Sequence, residues 1–266
     1  KIKTSQVKFN LVEAKNLYQK GNKFDFIVST NFFAHTNNLE EVIKGTKLIL
    51  KKNGTIILEI QYLYNLLKKN GFDSFHQDHK YYYSLNSLTK IFKVFDLNIY
   101  DAEFVKNNQE ILRVYISAID KKNSKKLKKI IKDENDKIIF KKVLKLNNFR
   151  KNYLLEFKKI INKFVNKNKT IYGLSAAPRG CVLLNAANFS KKDIKMVGEV
   201  SNSLKLNKYI PGTDIIIKDE NRIIKDQPDF VIILAWHLKK RLIRNLVKNG
   251  FKGKFIIPLP KLKISI

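Results

Sequence analysis

The sequence predicts an α/β protein built from two alternating strand and helix units joined by a helical connector. Three observations predict it. Short β-branched apolar runs alternate with segments of helical period from Phe24 onward. A pair of strand-like runs closes the first unit as a hairpin. A lysine-rich stretch of helical period, Lys121 to Asn168, then separates it from a second alternation starting at Thr170.

The elements follow in order. FDFIVST, Phe24 to Thr30, is the length and composition of a buried strand. Asn37 or Asn38 supplies a helix cap, and Leu39, Val42, Ile43, Leu48 and Leu50 recur at helical spacing behind it. Asn53-Gly54 predicts a turn and TIILEI, Thr55 to Ile60, the next strand. Strand, helix and strand with short links imply a right-handed parallel crossover. Tyr62 to Lys69 and Leu85 to Phe95 read as helices. Leu97 to Val105 and Ile111 to Ile119 read as strands around the polar loop KNNQE, so the sheet ends antiparallel. In the second unit TIYGL is a strand, SAAPRG a turn and Cys181 to Ala187 a helix. Asp193 to Val200, Asp214 to Ile217, Asp229 to Leu234 and Lys254 to Pro258 supply further strands, with a helix over Leu238 to Lys248.

Composition narrows the function. The 266 residues are 44% hydrophobic, enough for one large or two ordinary domains. No apolar run approaches the roughly 18 residues of a membrane span, and no signal-peptide pattern opens the chain, so a cytoplasmic protein is expected. One cysteine, Cys181, rules out an internal disulfide and a cysteine zinc cluster within this sequence. The net charge of +30 invites a nucleic-acid reading, but only six of the 53 basic residues are arginine, and the lysines are spread along the chain. Lysine, asparagine and isoleucine are together the residues of A/T-rich codons. No nucleic-acid partner is expected. The chain opens on Lys1 and its one methionine is Met196, so further residues are expected ahead of Lys1.

Two of the four histidines, His76 and His79, flank Asp78 in DSFHQDHKYYYSL, just ahead of Tyr81, Tyr82 and Tyr83. A metal site, an acid/base centre and a polar loop with local hydrogen bonds all fit that pattern. His-x-x-His without a nearby third ligand is a weak metal signal. Histidine beside a carboxylate suits proton transfer near neutral pH, and tyrosines suit the hydroxyls of a polar substrate. Ligands of α/β sheets sit at the carboxyl ends of parallel strands. That rule singles out Thr30 to His35, Glu59 to Tyr64, Ser175 to Gly180 and Ala235 to His237. No G-x-G-x-x-G occurs, but the Pro178-Arg179-Gly180 turn can present backbone N–H groups and a guanidinium to an anion.

Taken in series, these stretches resemble the SAM-dependent sugar-nucleotide C-methyltransferases. FDFIVSTNFFAHTNNLEEVIKGTKLILKKNGTIILEIQYL is similar to the back half of their methyltransferase domain. FDSFHQDHKYYYSL matches their F-D-x-I-Y-H-E-H-x-x-Y-Y-S-L, and ILRVY their S-L-R-V-Y. SAAPRGCVLLN, KLNKYIPGT, PDFVIILAWH and the closing IPLP match their C-terminal domain in order. The resemblance covers nearly all of residues 24 to 260. It departs where Tyr and Glu of the Y-H-E-H motif become His76 and Asp78, where Gly-Gly becomes Asn108-Gln109, and where P-W-N becomes Ala235-Trp236-His237.

The resemblance implies the back half of a class I Rossmann-like methyltransferase domain over residues 1–120 with an antiparallel end hairpin. It further implies a helical connector over 121–168 and a smaller Rossmann-like α/β C-methyltransferase domain over 169–266. It implies S-adenosyl-L-methionine as cofactor, with Asn31, Phe32 and Phe33 near its methionine end, and zinc only in a cysteine domain ahead of this region. A keto-sugar nucleotide of deoxysugar biosynthesis is the implied substrate, held by Tyr82, Tyr83, Pro178, Arg179 and Gly180. The implied base is His79, tuned by Asp78, with His35 and His76 as enolate donors or alternative bases. The competing readings are a relative that binds a sugar nucleotide without catalysing transfer, and a basic nucleic-acid binder.

Overall fold

A computed structural model describes residues 4–105, 108–134 and 136–265, which divide into two compact units. The first holds residues up to Leu67 together with Gln77–Lys142; the second holds Lys68–His76 and Val143–Ile266.

The first unit runs α1 (Leu11–Gln19), β1 (Phe24–Thr30), α2 (Leu39–Ile49), β2 (Leu50–Gln61), α3 (Leu63–Lys68), α4 (Leu85–Lys93), β3 (Asn98–Val105), β4 (Asn108–Ser117) and α5 (Lys125–Asp133). Its sheet has the order β1-β2-β4-β3. β1 and β2 are parallel, as the crossover predicts, and β4 is antiparallel to both β2 and β3. One face carries the core: Val42 and Ile43 of α2, Leu85, Leu88 and Phe92 of α4, and Leu127 of α5 pack with Ile56, Leu58, Ile60, Leu112 and Val114. β1 lies at the sheet edge, with Phe26 67% and Val28 63% exposed.

Three details differ from the sequence expectation. Asn53-Gly54 does not reverse the chain. It lies inside the twelve-residue β2, where the register against β1 shifts between Phe24 and Phe26. A bulge absorbs the extra residues, and Gly54 lies close to Leu50, whose Cδ1 would stand 2.8 Å from a Cβ there. The hairpin loop is shorter than KNNQE, since β4 begins at Asn108 and ends at Ser117; Lys106, Asn107 and the side chains of Asn108 and Gln109 lie outside the described residues. Helix α1 was not legible. It buries only Ala14, against Gly45 of α2, where a Cβ would approach Ala14 Cβ to 2.9 Å. Such a small-residue contact leaves no apolar stripe to read.

Glu134, just after α5, ties this unit together. Its carboxylate accepts from the Tyr62 hydroxyl and from the Leu85 and Asn86 backbone N–H groups, each at 2.7 Å, and so caps α4. Burial first, then the Glu134 hydrogen bond, pushes the Tyr62 hydroxyl far above its ordinary range, so it remains a donor. Glu134→Gln keeps the shape and surrenders the charge. It is expected to cost about 1.5–3 kcal/mol in denaturant unfolding. An unchanged midpoint would show that the carboxylate is not what holds α4.

The second unit contains a 3-10 turn (Phe72–Ser74), most of α6 (Asp136–Val165), β5 (Ile171–Leu174), α7 (Pro178–Ala186), β6 (Met196–Glu199), β7 (Ile216–Asp219), α8 (Asn221–Asp226), β8 (Phe230–Ile233), a 3-10 turn (Trp236–Leu238), α9 (Lys239–Lys248), β9 (Lys254–Ile257) and β10 (Lys263–Ser265). The sheet order is β10-β9-β8-β5-β6-β7, parallel except for β10. From β5 the chain moves outward to β6 and β7, then returns to the other side of β5 with β8. The strand order therefore reverses between β5 and β8. Phe157 and Ile161 of α6 are buried, and Phe164 stacks on Phe230 at 4.1 Å.

Candidate active site

The site of the first unit is made by two loops. One leaves the carboxyl end of β1. Its first residue, Asn31, has φ of 53°, a left-handed conformation that asparagine tolerates, while its N–H bonds Glu59 O of the neighbouring strand. The other loop carries Asp78 to Tyr83. They are stitched by main-chain and side-chain bonds: Lys80 N–H donates to Ala34 O at 2.8 Å, the Tyr83 hydroxyl donates to Phe33 O at 3.0 Å, and the Lys80 ammonium donates to Asn37 Oδ1.

The histidines meet at this seam. His35 Nδ1 lies 2.7 Å from Asp78 O. A carbonyl only accepts, so Nδ1 carries the proton, and the Nε2 of the neutral ring presents its lone pair. Asn31 Nδ2 lies 3.4 Å from that nitrogen and donates to it. The His79 ring stands edge-on to His35, centroids 4.7 Å apart and planes at 68°, and the Tyr82 ring is 5.8 Å from His79 on a similar edge. Asn31, His35, Asp78, His79 and Tyr82, far apart in the chain, thus form one cluster. The lower parts of that arrangement were legible from motifs. The Asp78 contact found is nevertheless with His35, through the main-chain oxygen, whereas the sequence expectation had the Asp78 carboxylate tuning His79.

Other expected site residues turn inward. Phe33 and Tyr83 are 2% and 3% exposed and belong to the core, with Phe33 packed on Phe92. Burial pushes the Tyr83 hydroxyl above its ordinary range, and its proton is spent on Phe33 O, so Tyr83 holds the loop. Phe32 is half-buried and lines a cavity of about 320 Å³ with Phe9, Ser29, Thr30, Phe33, Val42 and Ile56. Ser29 Oγ is buried there, and no hydrogen-bond partner for it is found among the described residues. Sequence reasoning missed Ser29. The signal was a hydroxyl in register with the core residues Ile27 and Leu58.

In the second unit Pro178 starts α7 and Gly180 lets it approach the sheet, since a Cβ there would meet Leu234 Cβ at 2.9 Å. Arg179 is 8% exposed, and its Nε and NH2 each donate to the Asp73 carboxylate at 3.0 Å. Its guanidinium also lies 4.4 Å from the Trp236 ring centre. This corrects the expectation of an anion-holding side chain: the fork already carries a carboxylate. His76 lies at the end of the Lys68–His76 segment of this unit.

Among the described residues no group of three or more His, Cys, Asp or Glu side chains is placed to hold a metal ion, and no helix is long and apolar enough to cross a membrane.

Two family descriptions match the chain. Residues 111–260 match the family described as C-methyltransferase C-terminal domain, and residues 2–102 match a methyltransferase domain. The C-methyltransferase NovU of Streptomyces niveus is 26% identical over 239 residues, an alignment taking in 87% of this chain and 56% of that protein. The chain thus spans a little over half the length of that relative. A solved S-adenosylmethionine-dependent methyltransferase from Clostridium acetobutylicum ATCC 824 shares 17% identity over 40% of this chain and 70% of its own, with a TM-score of 0.27.

Proposed function

Because this chain belongs to the family marked by the C-methyltransferase C-terminal domain, we propose that it takes part in methyl transfer from S-adenosylmethionine to a carbon beside the ketone of a sugar nucleotide. The observation that carries this reading is the His35–His79 pair, ring centres 4.7 Å apart, at the carboxyl end of β1.

A carbon becomes a nucleophile only after losing a proton alpha to a carbonyl, and the resulting enolate oxygen needs a donor. His79 takes that proton on an imidazole nitrogen. His35, its Nδ1–H held by Asp78 O, donates to the oxygen through Nε2–H when its ring is protonated. Tyr82, edge-on to His79, offers a hydroxyl to the sugar. The surplus of positive charge draws the anionic nucleotide toward the protein.

The residues present fit part of the cofactor. The buried Ser29 Oγ, the Asn31 amide and the Phe32 ring stand at or beside the cavity that follows β1. When bound, S-adenosylmethionine supplies a methyl group on a sulfonium. Ser29, Asn31 and Phe32 would bind and orient it and keep water from the carbanion. One cysteine and dispersed histidines make no zinc set among the described residues, and no step runs through zinc.

The test is incubation with S-adenosylmethionine and a panel of nucleoside-diphosphate keto-deoxyhexoses, read by product mass. One added methyl on the sugar is expected. Binding of a sugar nucleotide with no methylation of any panel member would replace this reading with that of a non-catalytic relative. Strong salt-dependent RNA or DNA binding instead would favour the basic-binder reading.

A further inference from the structure

At the carboxyl end of β2 the first unit holds an acceptor with no donor. Gln61 is the last residue of that strand, and its Oε1 is buried without a hydrogen-bond partner among the described residues. A buried acceptor left unmade is costly, so its place calls for a donor. The strands around it supply none. Ile60 and Tyr62 on either side belong to the core, each 1% exposed, so the pleat turns Gln61 to the opposite face, with Glu59. Glu59 is already paired there, accepting from Arg113 Nε at 2.9 Å. Across the sheet Gln61 pairs with Ile111 of β4, a side chain with no polar atom.

On its other side Gln61 stands beside the Asp78–Tyr83 loop. Tyr62 and Tyr83 form a parallel bridge, tied by Leu63 N–H donating to Tyr83 O at 3.0 Å. One residue back, the same register sets Gln61 beside Tyr82, at the spacing of about 4.8 Å that paired strands keep. Tyr62 and Tyr83 are both core residues, and Tyr81 stacks on Tyr83 with ring centres 6.0 Å apart. The alternation therefore puts Tyr82 and Gln61 together on the face away from that core. The Tyr82 ring is in turn 5.8 Å from His79. We infer that Gln61 is a substrate-binding residue that selects the sugar, its Oε1 accepting from a ring hydroxyl of the keto-sugar nucleotide. The ketone and the phosphates of such a substrate only accept; its ring hydroxyls and the N–H groups of its base donate. With the imidazole of His79 next to Tyr82, the sugar is the part that comes to this corner. This role for Gln61 rests on the reading of the site given above.

The test is calorimetry of a nucleoside-diphosphate keto-deoxyhexose, its monodeoxy analogues and the bare nucleoside diphosphate, on the wild-type protein, Gln61→Leu and Gln61→Met. Deuterium uptake from D2O at the carbon alpha to the ketone is read on the same samples. Either variant is expected to weaken the Kd of the sugar nucleotide about 10-fold and to leave that of the bare nucleoside diphosphate unchanged. The thermal midpoint is expected to hold or rise, because the orphan acceptor is gone. One monodeoxy analogue is expected to bind the wild-type protein about 10-fold more weakly than the parent sugar, and to lose that disadvantage in Gln61→Leu, where no acceptor is left to strand. An unchanged Kd in both variants, with uptake at the wild-type rate, overturns the role of Gln61 and leaves the reading of His79 standing. Equal weakening for the bare nucleoside diphosphate overturns it as well, since the donor is then on the base. A clearly lowered thermal midpoint in both variants shows the amide holding the fold, and overturns it too. Wild-type protein that binds the sugar nucleotide without uptake overturns the reading of His79 alone, Gln61 being judged by Kd. No binding of any sugar nucleotide overturns both.

Discussion

Replacing His79 with alanine is expected to lower deuterium uptake at the alpha carbon by about 10²–10⁴-fold, the range a positioned general base supplies. Thermal unfolding should shift by no more than about 0.5 kcal/mol, because the ring is only half-buried and meets His35 and Tyr82 by its edges. The pair of readings matters. A base that is also a packing residue would lose both activity and stability. His35→Ala should cost activity as well, through the enolate oxygen, and should relax the seam it makes with Asp78 O. If His79→Ala retains uptake and His35→Ala abolishes it, the roles of the two rings are exchanged, the His35 Nε2 giving up its 3.4 Å contact with Asn31 to accept the proton.

The second large effect is on stability. Arg179→Met is expected to destabilise the C-terminal unit by about 3–5 kcal/mol, because it strands a buried carboxylate at Asp73. Denaturant unfolding followed by Trp236 emission checks this directly. The Asp73→Leu, Arg179→Met double variant is expected to regain most of the loss, since two charges no longer need burying. Arg113 offers a control: its pair with Glu59 is part of a partly exposed network with Glu103, and its loss is expected to cost less than about 1 kcal/mol. Equal losses for Arg179→Met and the Arg113 control would show that the buried pair is not special.

Local pattern made much of the architecture readable. FDFIVST, TIILEI and DFVIIL are short apolar runs bounded by turn residues; the first and third form strands within a residue of their expected limits, and the second lies inside β2, which begins five residues earlier at Leu50. Asn38 caps α2 by accepting from Glu41 N–H, as its place before the periodic residues predicts. What could not be read was chiefly what depends on partners distant in sequence. Arg179 and Asp73 are separated by 106 residues, and nothing local distinguishes an arginine for a phosphate from one for an internal carboxylate. Tyr82 and Tyr83 are adjacent and chemically alike; the bridge pairing Tyr62 with Tyr83 decides which one is buried. α8 and β10, six and three residues long, were too short to carry a period.

Motifs pointed to the NFFAH and HQDH stretches, and the fold brings His35 of the first beside Asp78 and His79 of the second, with His76 left in the other unit. The carbonyl of Asp78 accepts from Nδ1 of His35, a contact no motif announced. The second-unit residues Pro178, Arg179 and Gly180 fall where the strand-end rule expects a ligand, yet they serve a helix start, an internal ion pair and close helix packing.

The central claim is that the paired imidazoles at the end of β1 create a carbanion. Mass-spectrometric deuterium uptake by a nucleoside-diphosphate keto-deoxyhexose in D2O, with this chain and no methyl donor, tests it most directly. The account predicts one deuterium at the carbon alpha to the ketone, at a rate far above the protein-free solution and lost in His79→Ala. Uptake no faster than without protein, under conditions where the sugar nucleotide binds, would contradict it.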